Sequence, residues 1–174
     1  VARNSGTSMA TPAASALALI IRQFLQEGYY PGLKKQSGNK ISPSSCLLKS
    51  ILINTAEKPE SFMENDQKSE PRNDAGFGIP CLERALGFNG VGFRFVDNEI
   101  MPSKSHFIYK VELNSNSADL NITMSYLDPP LNPDNENLFF ADLDIFVKSP
   151  NGKFYNGNGA SERESFSLTE RIII

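Results

Sequence analysis

Residues 6–12 read Gly-Thr-Ser-Met-Ala-Thr-Pro and run without a break into the apolar segment 13–21. That segment holds Leu17, Leu19, Ile20 and Ile21 among small residues, so it reads as a helix that is apolar all round and needs partners on most of its circumference. Ser8 then falls at the start of a helix expected to be buried. A helix start leaves unpaired backbone N–H groups and the positive end of the macrodipole, so an oxyanion forming beside Ser8 finds donors already aimed at it. Ser8 is therefore the nucleophile candidate. Gly6 allows a tight turn and close approach of a carbonyl, and Ala10 is small enough to leave the space above Ser8 open. Pro12 sits in the early turns, where its fixed φ suits a helix, although full tolerance is expected only at the first position. The competing reading is that Ser8 is a helix N-cap, since serine is among the preferred residues there.

The block resembles the nucleophile motif of the subtilisin-like serine peptidases, G-T-S-M-A-x-P, with every specified position present. In that family small residues follow the proline, and Ala13, Ala14, Ser15 and Ala16 fit, with Ser15 and Ala16 where Ala and Gly are usual. The resemblance implies a serine endopeptidase acting on protein or peptide substrates through an acyl-enzyme on Ser8. It also implies chemistry that needs no cofactor and a secreted or extracytoplasmic setting. The family triad arrives in the order Asp, His, Ser, which places the Asp and His upstream of Ser8 and makes the chain a C-terminal fragment. Two other readings stand beside it. One is a non-catalytic subtilase relative that keeps the fold as a binding module. The other is an α/β-hydrolase esterase, whose G-x-S-x-G elbow is nearly matched by residues 6–10, with Ala10 in place of the second glycine. That fold needs its Asp and His downstream, where the single histidine of the chain, His106, lies in the alternating stretch 105–113 that reads as a strand.

The charge balance excludes other classes. With 17 Lys plus Arg against 20 Asp plus Glu, a net charge of −3 and no basic cluster, there is no electrostatic footprint for nucleic acid. No apolar run approaches the roughly 18 residues of a bilayer span, the longest being 13–21, so no membrane segment is expected. Twelve Phe and five Tyr can supply a core without Trp. Cys46 and Cys81 are the only cysteines, which rules out a disulfide-dense scaffold; one bridge or two free thiols are both compatible with their positions near predicted helix starts.

Along the chain, the first helix is expected to end near Gly28, where Gly28-Tyr29-Tyr30-Pro31-Gly32 supplies a C-cap glycine and a stop. Ser42-Pro43-Ser44 opens a second helix over 44–55, with Leu47, Leu48, Ile51 and Leu52 at helical period. Pro43, Leu48, Lys49, Leu52, Asn54 and Ala56 resemble the helix that follows the nucleophile helix in subtilases. Residues 57–74, charged and containing Pro59 and Pro71, read as a surface loop. Gly76-Phe77-Gly78 before a short helix over 82–86 resembles the turn that closes the peptidase domain. A phosphate-binding reading fails for want of a preceding strand and a third glycine.

After Gly87 the period changes. Residues 105–113, 120–126, 143–147, 154–155 and 170–174 are short β-branched and aromatic runs separated by turn residues, the signature of a β-sandwich or jelly roll. Ser149-Pro150-Asn151-Gly152 reads as a turn, and 128–137, with three prolines, as a long loop. The segments 122–130, 142–147 and 149–158 resemble the jelly-roll module attached to one group of large extracellular subtilases, with Tyr126 where that group has tryptophan and Ala141 where it has asparagine. Asp142 and Asp144 share a strand face at i and i+2, and two readings stand: a structural calcium held with nearby carbonyls, or exposed strand residues beside Leu143 and Ile145. Asn121-Ile122-Thr123 has the form of a glycosylation sequon but lies in a predicted strand. The expected organisation is the C-terminal part of a subtilisin-like α/β catalytic domain over 1–88, followed by the N-terminal part of an all-β sandwich over 89–174.

Overall fold

A computed structural model describes residues 4–59, 71–72, 75–88, 90, 92–113, 119–130, 140–161 and 167–174. Most of the predicted loop 57–74, and most of the predicted loop 128–137, lie outside the described residues. Three helices come first, α1 (Thr7–Gln26), α2 (Ser45–Asn54) and α3 (Leu82–Leu86), followed by four strands, β1 (Asn121–Ser125), β2 (Phe146–Lys148), β3 (Phe154–Asn156) and β4 (Thr169–Ile173).

The core lies where the last turns of α1 meet α2 and α3. Ile21, Phe24 and Leu25, spaced i, i+3 and i+4, pack with Leu47 and Ile51 of α2 and Ala85 and Leu86 of α3. Tyr30, after α1, meets the segment after α3: its ring lies 5.0 Å from Phe93 and 5.1 Å from Phe95, and its hydroxyl donates to the Phe93 carbonyl at 2.8 Å. The part of α1 before Ile21 departs from expectation. Met9, Leu19 and Ile20 are 47%, 65% and 42% exposed, because α2 and α3 reach only the C-terminal turns and nothing among the described residues covers the rest. The helix also extends the apolar run 13–21 at both ends to 20 residues, which by length and composition is enough to cross a membrane. The same length and composition suit the central helix of a soluble domain.

Local signals set the helix ends. α1 stops before Gly28, whose φ of 80° is left-handed and whose added Cβ would lie 2.1 Å from the Gln36 carbonyl oxygen, so glycine is required. Ser44 caps α2 by accepting from the Leu47 N–H at 3.0 Å, and Asp97 from the later segment accepts from both the Ser44 N–H (2.9 Å) and its hydroxyl (2.5 Å). α3 ends at Gly87 in a left-handed C-cap, with Phe88 N–H donating to the Glu83 carbonyl and Gly87 N–H to that of Arg84.

The β structure among the described residues is two two-stranded antiparallel sheets. β1 pairs with β4 in the register Asn121↔Ile173 through Ser125↔Thr169, and β2 pairs with β3 around the predicted turn at 149–152. In that turn Ser149 N–H donates to the Lys153 carbonyl at 2.9 Å and Gly152 takes φ 85°. Two predicted strands are revised. Residues 105–113 alternate as expected but form no ladder among the described residues and are exposed, since alternation makes a strand only where a partner edge exists. Residues 143–145 lead into β2, the Ile145 carbonyl accepting from the Gly157 N–H at 3.1 Å, and the strand covers only 146–148. The β1–β4 pair packs on α2, so the two halves of the chain touch.

Candidate active site

Ser8 is the second residue of α1. The cap position belongs to Gly6, at φ 134° and ψ 169°, with no side-chain cap bond. The N-cap reading of Ser8 therefore falls: a cap residue has non-helical backbone, and Ser8 lies inside the first helical turn. The N–H groups of Met9 and Ala10 both donate to the Gly6 carbonyl, at 3.0 and 3.2 Å, whereas the Ser8 N–H meets no acceptor among the described residues. One donor at the positive end of a 20-residue helix thus stands open beside the Ser8 hydroxyl.

Pro12 has no N–H to return to the Ser8 carbonyl four residues earlier, and its ring crowds that oxygen. Hydroxyls on this stretch bond backward along the helix: Thr11 Oγ1 donates to the Thr7 carbonyl at 2.9 Å and Ser15 Oγ to that of Thr11 at 3.1 Å. Ser8 itself is exposed, and Met9 beside it is open to solvent. No carboxylate or imidazole is hydrogen-bonded to the Ser8 hydroxyl among the described residues. His106 lies in the exposed segment 102–113, without the strand expected there.

The other predicted residues fall elsewhere. Asp142 is exposed and Asp144 half-buried, both in the lead-in to β2 rather than on a paired strand, and among the described residues no three acidic, Cys or His side chains gather as metal ligands. The departures from the family pattern at 126 and 141 are joined by backbone: Tyr126 donates its hydroxyl to the Ala141 carbonyl at 2.9 Å, and Asp128 accepts from the N–H groups of Phe140 (2.6 Å) and Ala141 (3.0 Å). Burial holds the Tyr126 phenol above the ordinary tyrosine range, so it stays a donor at neutral pH. Cys46 and Cys81 are half-buried free thiols, and burial pushes the Cys46 thiol up. Asn121 of the sequon is engaged: its amide nitrogen donates to the Asn54 carbonyl at 3.3 Å.

Sequence reasoning passed over the buried polar residues of the second half, Asn158, Glu170 and Arg171, each at most 2% exposed. The available signal was a Glu-Arg pair inside the apolar run that ends the chain.

Residues 1–79, which contain the whole Ser8 block and α2, match the family model of the subtilase family. Over these 79 residues the chain is similar to the subtilase family. Three proteins of Dictyostelium discoideum are similar to the chain. The serine protease/ABC transporter B family proteins tagD and tagB are 51% and 49% identical over 53 residues, 30% of this chain and 3% of each relative. The protein of the same description named tagA is 28% identical over 177 residues, 97% of this chain and 10% of the relative, so this likeness runs through both the subtilase segment and the β strands. The chain spans a tenth or less of the length of these relatives.

Proposed function

We propose that the chain belongs to a longer serine endopeptidase, here called the intact protein, in which Ser8 is the nucleophile. The observation that carries the reading is the position of Ser8: second in α1, its N–H without an acceptor among the described residues, inside a complete nucleophile motif that falls within residues 1–79. A histidine from upstream takes the proton from Ser8 Oγ as this oxygen attacks the peptide carbonyl. The Ser8 N–H and an upstream asparagine amide hold the oxyanion; the histidine then protonates the leaving amine, and water releases the acyl group. Nothing in this sequence of steps calls for a metal, and a calcium ion at Asp142 and Asp144 is proposed only as a structural addition. Residues after 88 are proposed as the first strands of a jelly-roll module, and an extracytoplasmic setting follows from the same family reading. The intact protein, treated with a fluorophosphonate probe, is expected to be labelled at Ser8. Absence of label on an otherwise folded protein would favour the binding-module reading.

Met9 adds a second expectation. It follows the nucleophile and is 47% exposed, so peroxide can reach its thioether here. A sulfoxide oxygen would set bulk and a competing acceptor beside the oxyanion donors, and mild oxidation should slow the intact protein several-fold without touching the triad. Comparison with Met9→Ala, with the oxidised residue mapped by mass spectrometry, decides the matter. Equal losses in both proteins would place the damage elsewhere.

A further inference from the structure

Arg171 is 2% exposed, and a buried cation is retained only where its donors are met. Its partners lie across the chain, in the subtilase segment. Nη1 donates to the Ile53 carbonyl at 2.6 Å and to the Ala56 carbonyl at 3.3 Å, at the end of α2, and Nη2 donates to the Phe77 carbonyl at 2.8 Å. The guanidinium also lies over the Phe77 ring, 5.4 Å from its centroid. The last carbonyls of a helix lie at the negative end of its dipole, and that of Ile53, which also accepts from the Ala56 N–H at 3.2 Å, has a second lone pair to offer, so a planar cation with several diverging donors suits this place, and a lysine ammonium suits it less well.

The rest of that sheet face makes the same contact. Thr123 stands opposite Arg171 in the β1–β4 register, and residues two apart on a strand share a face. Asn121 and Thr123 meet Asn54, the last residue of α2: the Asn54 amide donates to the Asn121 carbonyl at 3.0 Å and to Thr123 Oγ1 at 3.1 Å, and the Asn121 amide donates back to the Asn54 carbonyl. A slip of one residue in β4 would turn Arg171 away from α2. Asn158, 1% exposed and at φ 56°, holds the strand's other edge: its amide nitrogen donates to the Thr169 carbonyl at 3.3 Å, and its oxygen accepts from the Arg171 N–H at 3.0 Å. This side chain occupies the place of a neighbouring strand on both sides of Glu170.

We propose that Arg171 is a latch that joins the β1–β4 pair to the end of α2 and to the Gly76-Phe77-Gly78 turn, with Asn158 keeping it in register, so that residues 53–57 and 77–79 and the β1–β4 pair open as one unit. The turn is a fitting receiver. Gly78, at φ 111°, leaves no room for a side chain, since a Cβ would lie 2.4 Å from the Glu57 carbonyl oxygen. Around it, Glu57 and Ile79 exchange backbone hydrogen bonds of 2.9 and 2.8 Å, directly beside the Ala56 and Phe77 carbonyls that Arg171 holds.

The test is amide hydrogen exchange at Glu57 and Ile79 in the intact protein. Arg171→Met should speed both by on the order of a hundredfold, the scale of losing a charge-assisted hydrogen bond. Val147, in the β2–β3 pair, should be unaffected. Asn158→Ala, which touches neither Glu57 nor Ile79, should move them in the same direction. Unchanged exchange at both amides in Arg171→Met would overturn the proposal. Should that variant fail to fold, Arg171→Lys decides: a partial increase supports the latch, and exchange at the parent rate overturns it.

Discussion

Replacing Ser8 by alanine in the intact protein is expected to lower kcat by about 10⁶-fold while leaving KM for a peptide substrate nearly unchanged, the scale of loss when the nucleophile of a catalytic triad is removed. The size follows from the mechanism. In the proposed mechanism Oγ forms the bond to the acyl group, and neither the neighbouring N–H donors nor an upstream histidine can replace that bond. The small effect on binding follows from the place of Ser8 in the first turn of α1, where the backbone carries the geometry and alanine is a good helix former. Steady-state kinetics on one peptide series, with circular dichroism to confirm the fold, is the measurement. A variant that keeps a substantial fraction of the parent rate would remove Ser8 from the mechanism.

The 174-residue chain, prepared alone, should show no peptide hydrolysis above buffer and no cooperative unfolding transition. Two separate deficits lead there. No general base is hydrogen-bonded to Ser8 among the described residues, and the part of α1 before Ile21, with Leu19 65% exposed, has no cover there. An uncovered apolar stripe of this kind favours self-association over a single folded state, so the preparation should bind a hydrophobic dye and sediment as mixed oligomers. Thermal and urea unfolding followed by two probes tests the first point, and a fluorogenic peptide assay the second. A sharp coincident transition together with hydrolysis would contradict the expectation.

What could be read along the chain was whatever depends on neighbours a few residues away. The Gly6 turn, the stop at Gly28, the Ser44 cap, the short helix ending at Gly87 and the turn at 149–152 all rest on local backbone chemistry, and each stands where its residue types place it. The motif around Ser8 belongs with these, because its meaning lies in consecutive residues. Residues 105–113 show the limit: their alternation is that of a strand, but pairing needs an edge from elsewhere, and the described residues supply none.

The sequence by itself determined the nucleophile candidate, its helix and the change from helical to strand period after Gly87, since each is set by short-range sterics, capping and periodicity. Only the tertiary structure decided that Gly6 and not Ser8 caps α1, that the part of α1 before Ile21 lies open, and that Arg171 reaches some hundred residues back to Ile53, Ala56 and Phe77. A buried cation's partners are whichever carbonyls the fold brings within reach of its donors, and no local pattern in the chain names them.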